Sequence, residues 1–217
     1  MNDPATLDAL RVQLAPAIAD AAAFDGWSTD AVKHAAEMAG VDRDLALFAF
    51  REGQMAMIEA WIGHVDARMA ETVPAAALSN LPIRERIRRL VMARLDAVAG
   101  REEALTRALA VMALPRNLAA SARLGWRSAD RMWRLAGDTA TDYNHYTKRA
   151  ILAGIYAATL QVFARDTSED KVETRAFLDR RIEGIMRFEK AKGQVLRKPD
   201  ERFSMTRLLG RIRYPAH

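Results

Sequence analysis

The chain has 217 residues, of which 50% are apolar and 28% are charged, and its formal net charge is +5. This apolar content supports a sizeable core and excludes a disordered protein. The absence of cysteine excludes disulfides, thiolate nucleophiles and cysteine-ligated metals. No apolar run reaches the roughly 18 residues of a membrane-spanning helix, and the N-terminal residues lack the basic start of a signal peptide. We therefore expect a globular protein that stays in the cytoplasm.

Helix-forming residues dominate, and glycine or proline recurs between apolar segments, which predicts an all-α protein. The first predicted helices run over about 6–22, 29–39, 42–50, 54–71, 83–99 and 100–112. The helix over 83–99 is predicted to expose an arginine-rich face, made of Arg84, Arg86, Arg88, Arg89 and Arg94. A seventh helix is predicted to begin at Pro115, and Gly125 followed by a Ser128 cap introduces a short helix over 129–136. The last helices are predicted over about 142–164, 168–188 and 200–213. A polar linker is predicted over 190–199.

Pro74 lies in an alanine-rich stretch over 73–79, which is the best candidate for an internal boundary. The predicted organisation is an N-terminal bundle over 1–72, a larger helical ligand domain over 73–189, and a basic linker with an amphipathic helix over 190–217. From Lys190 to His217 there are eight basic and two acidic residues. The preceding body is therefore nearly neutral, and the basic character belongs to the C-terminal segment.

Residues 36–50 (AEMAGVDRDLALFAF) have the outline of a helix-turn-helix, with a turn at Gly40 between two short helices. This run resembles the N-terminal domain of TetR-type regulators, which implies a helix-turn-helix bundle and a homodimer. A recognition helix should offer donors to bases and cations to phosphates. This one offers Asp42 and Asp44 with only Arg43 basic, so we predict that the protein binds no nucleic acid. The alternative is a lipid-responsive TetR-type transcriptional regulator.

The sequence predicts neither a catalytic centre nor a metal or cofactor site. The four histidines are scattered, and no paired Glu-x-x-His motifs, glycine-rich phosphate loop or serine nucleophile elbow is present. Asp142 and His145 could share one side of a helix, and an enzyme that uses this pair remains an alternative. A solvated or interface histidine fits the pattern better than a ligand does.

The helices over 83–112 and 129–163 carry a stripe rich in methionine and leucine. Methionine is flexible and suits adaptable apolar sites, so the stripe is compatible with a lipid cavity. An ordinary core is the alternative, because sequence alone cannot show a void. The predicted lipid-binding residues are Leu95, Leu109, Met112, Met132, Leu135, Leu152 and Ile155.

Between these apolar helices, residues 136–150 combine aromatic, acidic and basic side chains. Asp142, His145, Tyr146 and Arg149 follow one another at i, i+3, i+4 and i+7, so a helix would place them on one face. Large aromatic residues and arginine dominate the energetics of protein interfaces. This spacing therefore predicts a protein-binding surface.

The C-terminal residues 200–213 show helical apolar spacing with arginines around it. An amphipathic helix of this kind suits the interface of an anionic membrane. Packing on the protein's own body or on a dimer mate is the alternative. The predicted membrane-binding residues are Phe203, Arg207, Leu208, Leu209, Arg211 and Ile212.

Residues 125–156, together with Asp166, Thr167 and Ser168, resemble the coenzyme Q biosynthesis protein nine family. The resemblance implies a TetR-type fold without DNA binding, a cavity for isoprenoid quinone or phospholipid, and a C-terminal amphipathic helix that meets the membrane. We therefore expect a cytoplasmic protein that is peripheral on the inner face of the cytoplasmic membrane. It also implies a non-enzymatic role as partner of the di-iron hydroxylase that acts on demethoxyubiquinone. The protein would then present the quinone lipid to that enzyme.

The family's partner-binding patch corresponds to Asp142, His145, Tyr146 and Arg149 of this chain. The family commonly has tryptophan where this sequence has His145. Tryptophan supplies more apolar area, whereas histidine supplies a titratable donor. The substitution predicts a hydroxylase interface that is weaker, altered or addressed to a homologous partner.

Overall fold

A computed structural model describes the backbone of residues 4–139 and 143–196 and the side chains of residues 7–139 and 145–185. The backbone in these ranges is mostly α-helical and contains no strand, so the predicted all-α class is confirmed. The helices are α1 (Pro4–Asp25), α2 (Thr29–Ala39), α3 (Arg43–Ala49), α4 (Gln54–Thr72), α5 (Ala75–Leu78), α6 (Ile83–Asp96), α7 (Glu102–Met112), α8 (Leu118–Leu135), α9 (Tyr143–Phe163) and α10 (Val172–Leu196).

Local capping chemistry sets the bounds of α2 and α3. Ser28 Oγ accepts a hydrogen bond from the Ala31 N–H at 3.3 Å and begins α2. Gly40 ends this helix in the left-handed region, with φ of 64°, where a residue without Cβ is not strained. Asp42 Oδ1 then accepts from the Leu45 N–H at 2.8 Å and begins α3. The helix-turn-helix outline predicted from the sequence is therefore present.

Helix α4 lies at the centre of the fold, in contact with α1, α6, α7 and α8. Trp27, which is 1% exposed, packs its ring 5.3 Å from that of Trp61 on α4. Its Nε1–H also donates to the Ala104 carbonyl of α7 at 3.1 Å. Residues up to Asp179 form one compact unit, and a second unit begins at Arg180. The predicted domain boundaries stay a prediction.

The predicted break at Gly125 and Ser128 is wrong, because α8 runs without interruption from Leu118 to Leu135. Ser128 is buried inside this helix, and its hydroxyl donates to Asp66 Oδ2 at 3.3 Å instead of capping a new helix. A Cβ at Gly125 would meet nothing within 4 Å. Steric contacts therefore do not require glycine here, and its place inside the helix costs roughly 1 kcal/mol relative to alanine.

The predicted arginine-rich exposed face of α6 is wrong for Arg94, which is buried, and only partly right for Arg86 and Arg88, which are half-buried. Arg86 is half-buried, and its guanidinium donates to backbone carbonyls of Leu81, Ala136 and Ser79, each at 2.8 Å. Arg94 is buried and pairs with Asp66 of α4. Helical spacing alone cannot separate these arginines from exposed ones, because the carboxylate and carbonyl partners come from distant parts of the chain.

Helix α10 extends further than the sequence indicated. A polar linker was predicted over 190–199, but the helix continues to Leu196. The first proline after residue 188 is Pro199. No residue before it forces the backbone out of the helix, since Gly193 only lowers helix stability.

The turn between α9 and α10 is organised by the carboxylate of Asp166. Its Oδ2 accepts from the backbone N–H and the hydroxyl of Thr174 at 2.8 and 2.6 Å, and its Oδ1 accepts from the N–H of Ser168 at 2.9 Å. Burial alone would raise the pKa of Asp166, but these hydrogen bonds outweigh it and hold the pKa well below its usual range. The charged carboxylate therefore stabilises the start of α10.

We expect Asp166→Asn to lower the free energy of unfolding at pH 7 by about 1–2 kcal/mol, through loss of a charged acceptor at a helix start. A depressed pKa in the folded state means that the carboxylate stabilises the fold above its unfolded pKa of about 4 and loses this contribution as the pH falls below it. Denaturant unfolding at pH 7 and pH 3 should therefore show a smaller acid effect in the variant. Glu37→Gln, at an exposed site of α2, is the control. Equal acid effects in wild type and Asp166→Asn would contradict the assignment.

Candidate functional site

An exposed aromatic face lies where α9 begins beside α8. Tyr146 is 62% exposed, and its ring centroid lies 6.0 Å from that of half-buried Trp126 on α8. His145 is half-buried, and its ring meets that of Tyr146 edge to face at 5.1 Å. We call these three residues the aromatic face. It contains two of the predicted partner-binding residues, together with Trp126, which the sequence analysis did not select.

Arg149 differs from the prediction, because only 1% of it is exposed. Its Nε donates to Asp130 of α8 at 2.6 Å, and its Nη1 donates to Asp138 at 3.0 Å and to the His145 carbonyl at 3.1 Å. A side chain held in this way cannot contact a partner directly. Arg149 instead fixes the first turns of α9 against α8, which positions the aromatic face.

Lys148 completes this charged cluster, which we call the clasp: Asp130, Asp138, Lys148 and Arg149. Lys148 Nζ donates to Asp138 Oδ1 at 2.8 Å, and its backbone carbonyl accepts from Trp133 Nε1 at 3.1 Å. Burial alone would raise the pKa of Asp138, but the two cationic neighbours outweigh it and lower the pKa. The Asp138 carboxylate is therefore charged at neutral pH and attracts both cations.

Several predicted site residues lie outside the described residues. Asp142 of the partner-binding patch falls in the gap between residues 139 and 143. The predicted membrane-binding residues all lie beyond residue 196, and they are Phe203, Arg207, Leu208, Leu209, Arg211 and Ile212. These assignments, and the alternative of an Asp142–His145 catalytic pair, stay sequence-based predictions.

An apolar cavity of about 250 Å³ opens between α4, α6, α7, α8 and α9. Two of the predicted lipid-binding residues, Leu109 and Met112 of α7, line it. The other five do not. Leu95, Met132 and Leu152 are buried in the core, and Leu135 and Ile155 are half-buried away from the cavity wall.

The contribution of α4 to the cavity, through Trp61 and Val65, could not be predicted from the sequence. The sequence assigns α4 to the N-terminal bundle and carries no signal of how it packs on α7 and α8. Gly125 also lines the wall, although its position in the sequence predicts a break between helices. Apolar periodicity identifies the buried face of a helix but not the part of that face that borders a void.

The residues that the structure describes contain neither a candidate metal site nor a membrane-spanning helix. No group of three histidine or carboxylate side chains in these ranges is arranged to hold a metal ion. Within the same ranges, no helix combines the length and apolarity needed to cross a bilayer.

The fold is similar to that of a TetR transcriptional regulator from Nitrosomonas europaea, with a TM-score of 0.63 and 24% identity. The match covers 80% of this chain and 96% of that one. At this level of identity the comparison establishes a TetR-like fold and nothing about DNA binding.

Sequence comparison connects the chain with curated proteins. It is 32% identical over 176 residues to the mitochondrial ubiquinone biosynthesis protein COQ9 of Rattus norvegicus, covering 78% of this chain and 56% of the relative. It is 32% identical to COQ9-B of Xenopus laevis, covering 78% and 60%, and 30% identical to human COQ9, covering 78% and 55%. The chain thus spans somewhat more than half the length of these relatives.

The COQ9 family model matches residues 118–189, which contain α8, α9 and most of α10 up to residue 189. This range includes the aromatic face, the clasp and the part of the cavity wall contributed by α8 and α9. The family match and the similarity to curated members over most of the chain agree with the resemblance seen in residues 125–156. This chain belongs to the COQ9 family.

Proposed function

We propose that the protein is a non-catalytic accessory factor in ubiquinone biosynthesis that binds an isoprenoid quinone intermediate and presents it to the demethoxyubiquinone hydroxylase. The observation that carries this proposal is the apolar cavity of about 250 Å³, two walls of which lie in the family-matched region. Transfer of an isoprenoid from water gains roughly 0.8 kcal/mol for each CH₂ that is buried. A cavity of this kind therefore lowers the cost of moving the lipid between membrane and enzyme.

We further propose that the protein works as a homodimer that binds no nucleic acid. Helix α3, in the position of a recognition helix, carries the exposed carboxylates of Asp42 and Asp44. Asp42 is also engaged as the cap of α3 through the Leu45 N–H. Two carboxylates directed at phosphates would be repulsive, which favours a lipid carrier over the alternative of a lipid-responsive regulator.

The ligand can be tested by filling the cavity without disturbing the core. Gly125 lines the cavity, and an added Cβ would meet nothing within 4 Å. We expect Gly125→Leu to occupy the void and to reduce co-purified lipid at least several-fold in native mass spectrometry. Because the substitution removes a glycine from a helix interior, the thermal midpoint should hold or rise.

Gly154→Leu is the matched control. Gly154 also lies inside a helix, is exposed, and has open space around its Cβ, but it does not line the cavity. Its lipid content should equal that of wild type. A wild-type protein that carries no lipid and does not bind quinone analogues would contradict the proposed lipid binding. Equal lipid loss in Gly125→Leu and Gly154→Leu would contradict the cavity as the place where the lipid binds.

We propose that the hydroxylase docks on the aromatic face. Tyr146 presents a large exposed ring next to Trp126, and tyrosine and tryptophan are enriched among the residues that dominate binding energy. The clasp holds both helices, so the face is preorganised and less side-chain entropy is lost on binding. His145 stands beside Tyr146 and supplies a ring with polar nitrogens to the same contact.

We expect Tyr146→Ala to weaken co-purification with the hydroxylase by about tenfold or more, while the free energy of unfolding changes by less than about 0.5 kcal/mol. Phe24→Ala, at an 85% exposed aromatic residue of α1, controls for the loss of any exposed ring and should bind normally. Normal hydroxylase binding by Tyr146→Ala would exclude this face.

Arg149→Met should lower the free energy of unfolding by about 2 kcal/mol. The substitution removes a buried positive charge from Asp130 and Asp138, although each carboxylate keeps another cationic partner.

We propose that the basic C-terminal segment attaches the protein to an anionic membrane face. Its arginines surround apolar residues at helical spacing, and each basic residue near such a surface adds roughly 1 kcal/mol. We expect Arg207→Glu with Arg211→Glu to weaken binding to phosphatidylglycerol vesicles by more than about tenfold. Arg116→Glu with Arg123→Glu, at exposed sites between α7 and α8 and on α8, is the control. Unchanged vesicle binding after deletion of residues 200–217 would contradict the proposal that this segment attaches the protein to the membrane.

A further inference from the structure

The wall of the cavity carries a single charged side chain among the lining residues that the structure describes, namely Arg94 of α6. Only 2% of Arg94 is exposed, although arginine is almost never fully buried unless it is paired. The surrounding wall is otherwise built mainly from aliphatic and aromatic side chains. A cavity that served only to hold hydrocarbon would not require this residue.

Arg94 belongs to a buried polar cluster that joins four helices. Its Nη1 pairs with Asp66 Oδ1 of α4, and Ser128 of α8 donates to the other carboxylate oxygen at 3.3 Å. The guanidinium carbon lies 4.7 Å from the centroid of the Tyr156 ring of α9. Arg94, Ser128 and Tyr156 all line the cavity. We call Arg94, Asp66, Ser128 and Tyr156 the polar corner of this otherwise apolar cavity.

Stability alone does not account for this pair. The desolvation of two buried charges offsets most of their attraction, and apolar residues of similar volume often replace such pairs without loss. In addition, Nε and Nη1 of Arg94 and Oδ1 of Asp66 are buried without a hydrogen bond among the described residues, although Nη1 and Oδ1 form an ion pair. A buried N–H without an acceptor destabilises the protein. A ligand that supplies an acceptor removes this cost and therefore binds more tightly.

The charge of the corner restricts the kind of ligand. Asp66 neutralises the guanidinium, so a phosphate or carboxylate would meet no net positive charge. The guanidinium has five N–H donors, and those that Asp66 does not engage can still donate to an uncharged oxygen. The cavity of about 250 Å³ exceeds the roughly 150 Å³ that holds a benzene molecule. It accommodates a six-membered ring with a few additional carbons.

We infer that the guanidinium of Arg94 donates a hydrogen bond to a neutral carbonyl oxygen of the bound ligand, so that the cavity selects the oxygen-bearing end of a lipid over pure hydrocarbon. This inference rests on the proposed function and names the part of the ligand that is recognised. A quinone ring and an acyl ester both carry such an oxygen, and the test separates them.

The test compares butyl-1,4-benzoquinone, ethyl hexanoate and butylbenzene by isothermal titration calorimetry with the full chain. Removal of Arg94 alone would leave Asp66 unpaired and could unfold the protein, so the variant is Arg94→Met with Asp66→Leu. Ser128 can then donate to the carbonyl four residues earlier in its own helix. The control is Arg88→Met with Asp179→Leu, which removes an ion pair of 2.6 Å from α6 outside the cavity.

For each carbonyl ligand, the Kd of butylbenzene is divided by the Kd of that ligand. We expect this ratio to fall about tenfold or more in Arg94→Met with Asp66→Leu and to stay constant in the control. Because each ligand is compared with itself across proteins, differences in hydration cancel. A larger change of this ratio for the quinone indicates that the polar corner binds a ring carbonyl. A larger change for the ester indicates that it binds the carbonyl of an acyl lipid. Unchanged ratios in a folded variant that still binds all three ligands would overturn the inference while leaving the proposed cavity intact. Failure of wild type to bind any of them would overturn both.

Discussion

The position of α9 depends on the contact between Arg149 and the carboxylates of Asp130 and Asp138. Two hydrogen bonds from one buried guanidinium fix the first turns of this helix against α8 and against the loop that precedes it. A third joins the guanidinium to the His145 carbonyl within α9. At the exposed end, the contact places Tyr146 beside Trp126. Tyr156 follows Arg149 by seven residues, which is about two turns and 10 Å along the same side of the helix. The same constraint therefore orders the aromatic face and delivers an aromatic ring to the wall of the cavity.

Much of the fold could be predicted because its determinants are local. The Ser28 cap, the glycine at residue 40 and the Asp42 cap each act within a few residues, and the bounds of α2 and α3 follow from them. Ser128 shows the opposite situation. A serine after a glycine is a good cap signal, but its hydroxyl has a tertiary partner in Asp66, which lies 62 residues earlier. No local pattern reveals such a partner, so the continuity of α8 could not be deduced from the sequence.

The candidate site shows the same limit. Tyr146 and His145 could be selected from their spacing and chemistry, whereas Trp126 could not, because the predicted break at Gly125 placed it outside a helix. Arg149 shares their spacing but is buried, since opposite charges on α8 and before α9 draw it inward. Leu109 and Met112 line the cavity, while other members of the same stripe form solid core. Periodicity identifies the buried sides of helices, but a void depends on how the helices meet.

The fold alone does not decide what the protein does, because one fold can carry unrelated functions. The described residues contain both a helix-turn-helix outline in α2 and α3 and an apolar cavity between α4, α6, α7, α8 and α9. Helix α8 carries cavity-lining residues such as Leu124 and Gly125 on one side and Trp126 of the aromatic face on another. Under the proposed function, a ligand that shifted α8 would move Trp126 of the aromatic face with it, and a partner that held Trp126 and Tyr146 would restrict the cavity wall. By linkage, any such coupling is reciprocal: the partner changes ligand affinity by the same factor by which the ligand changes partner affinity.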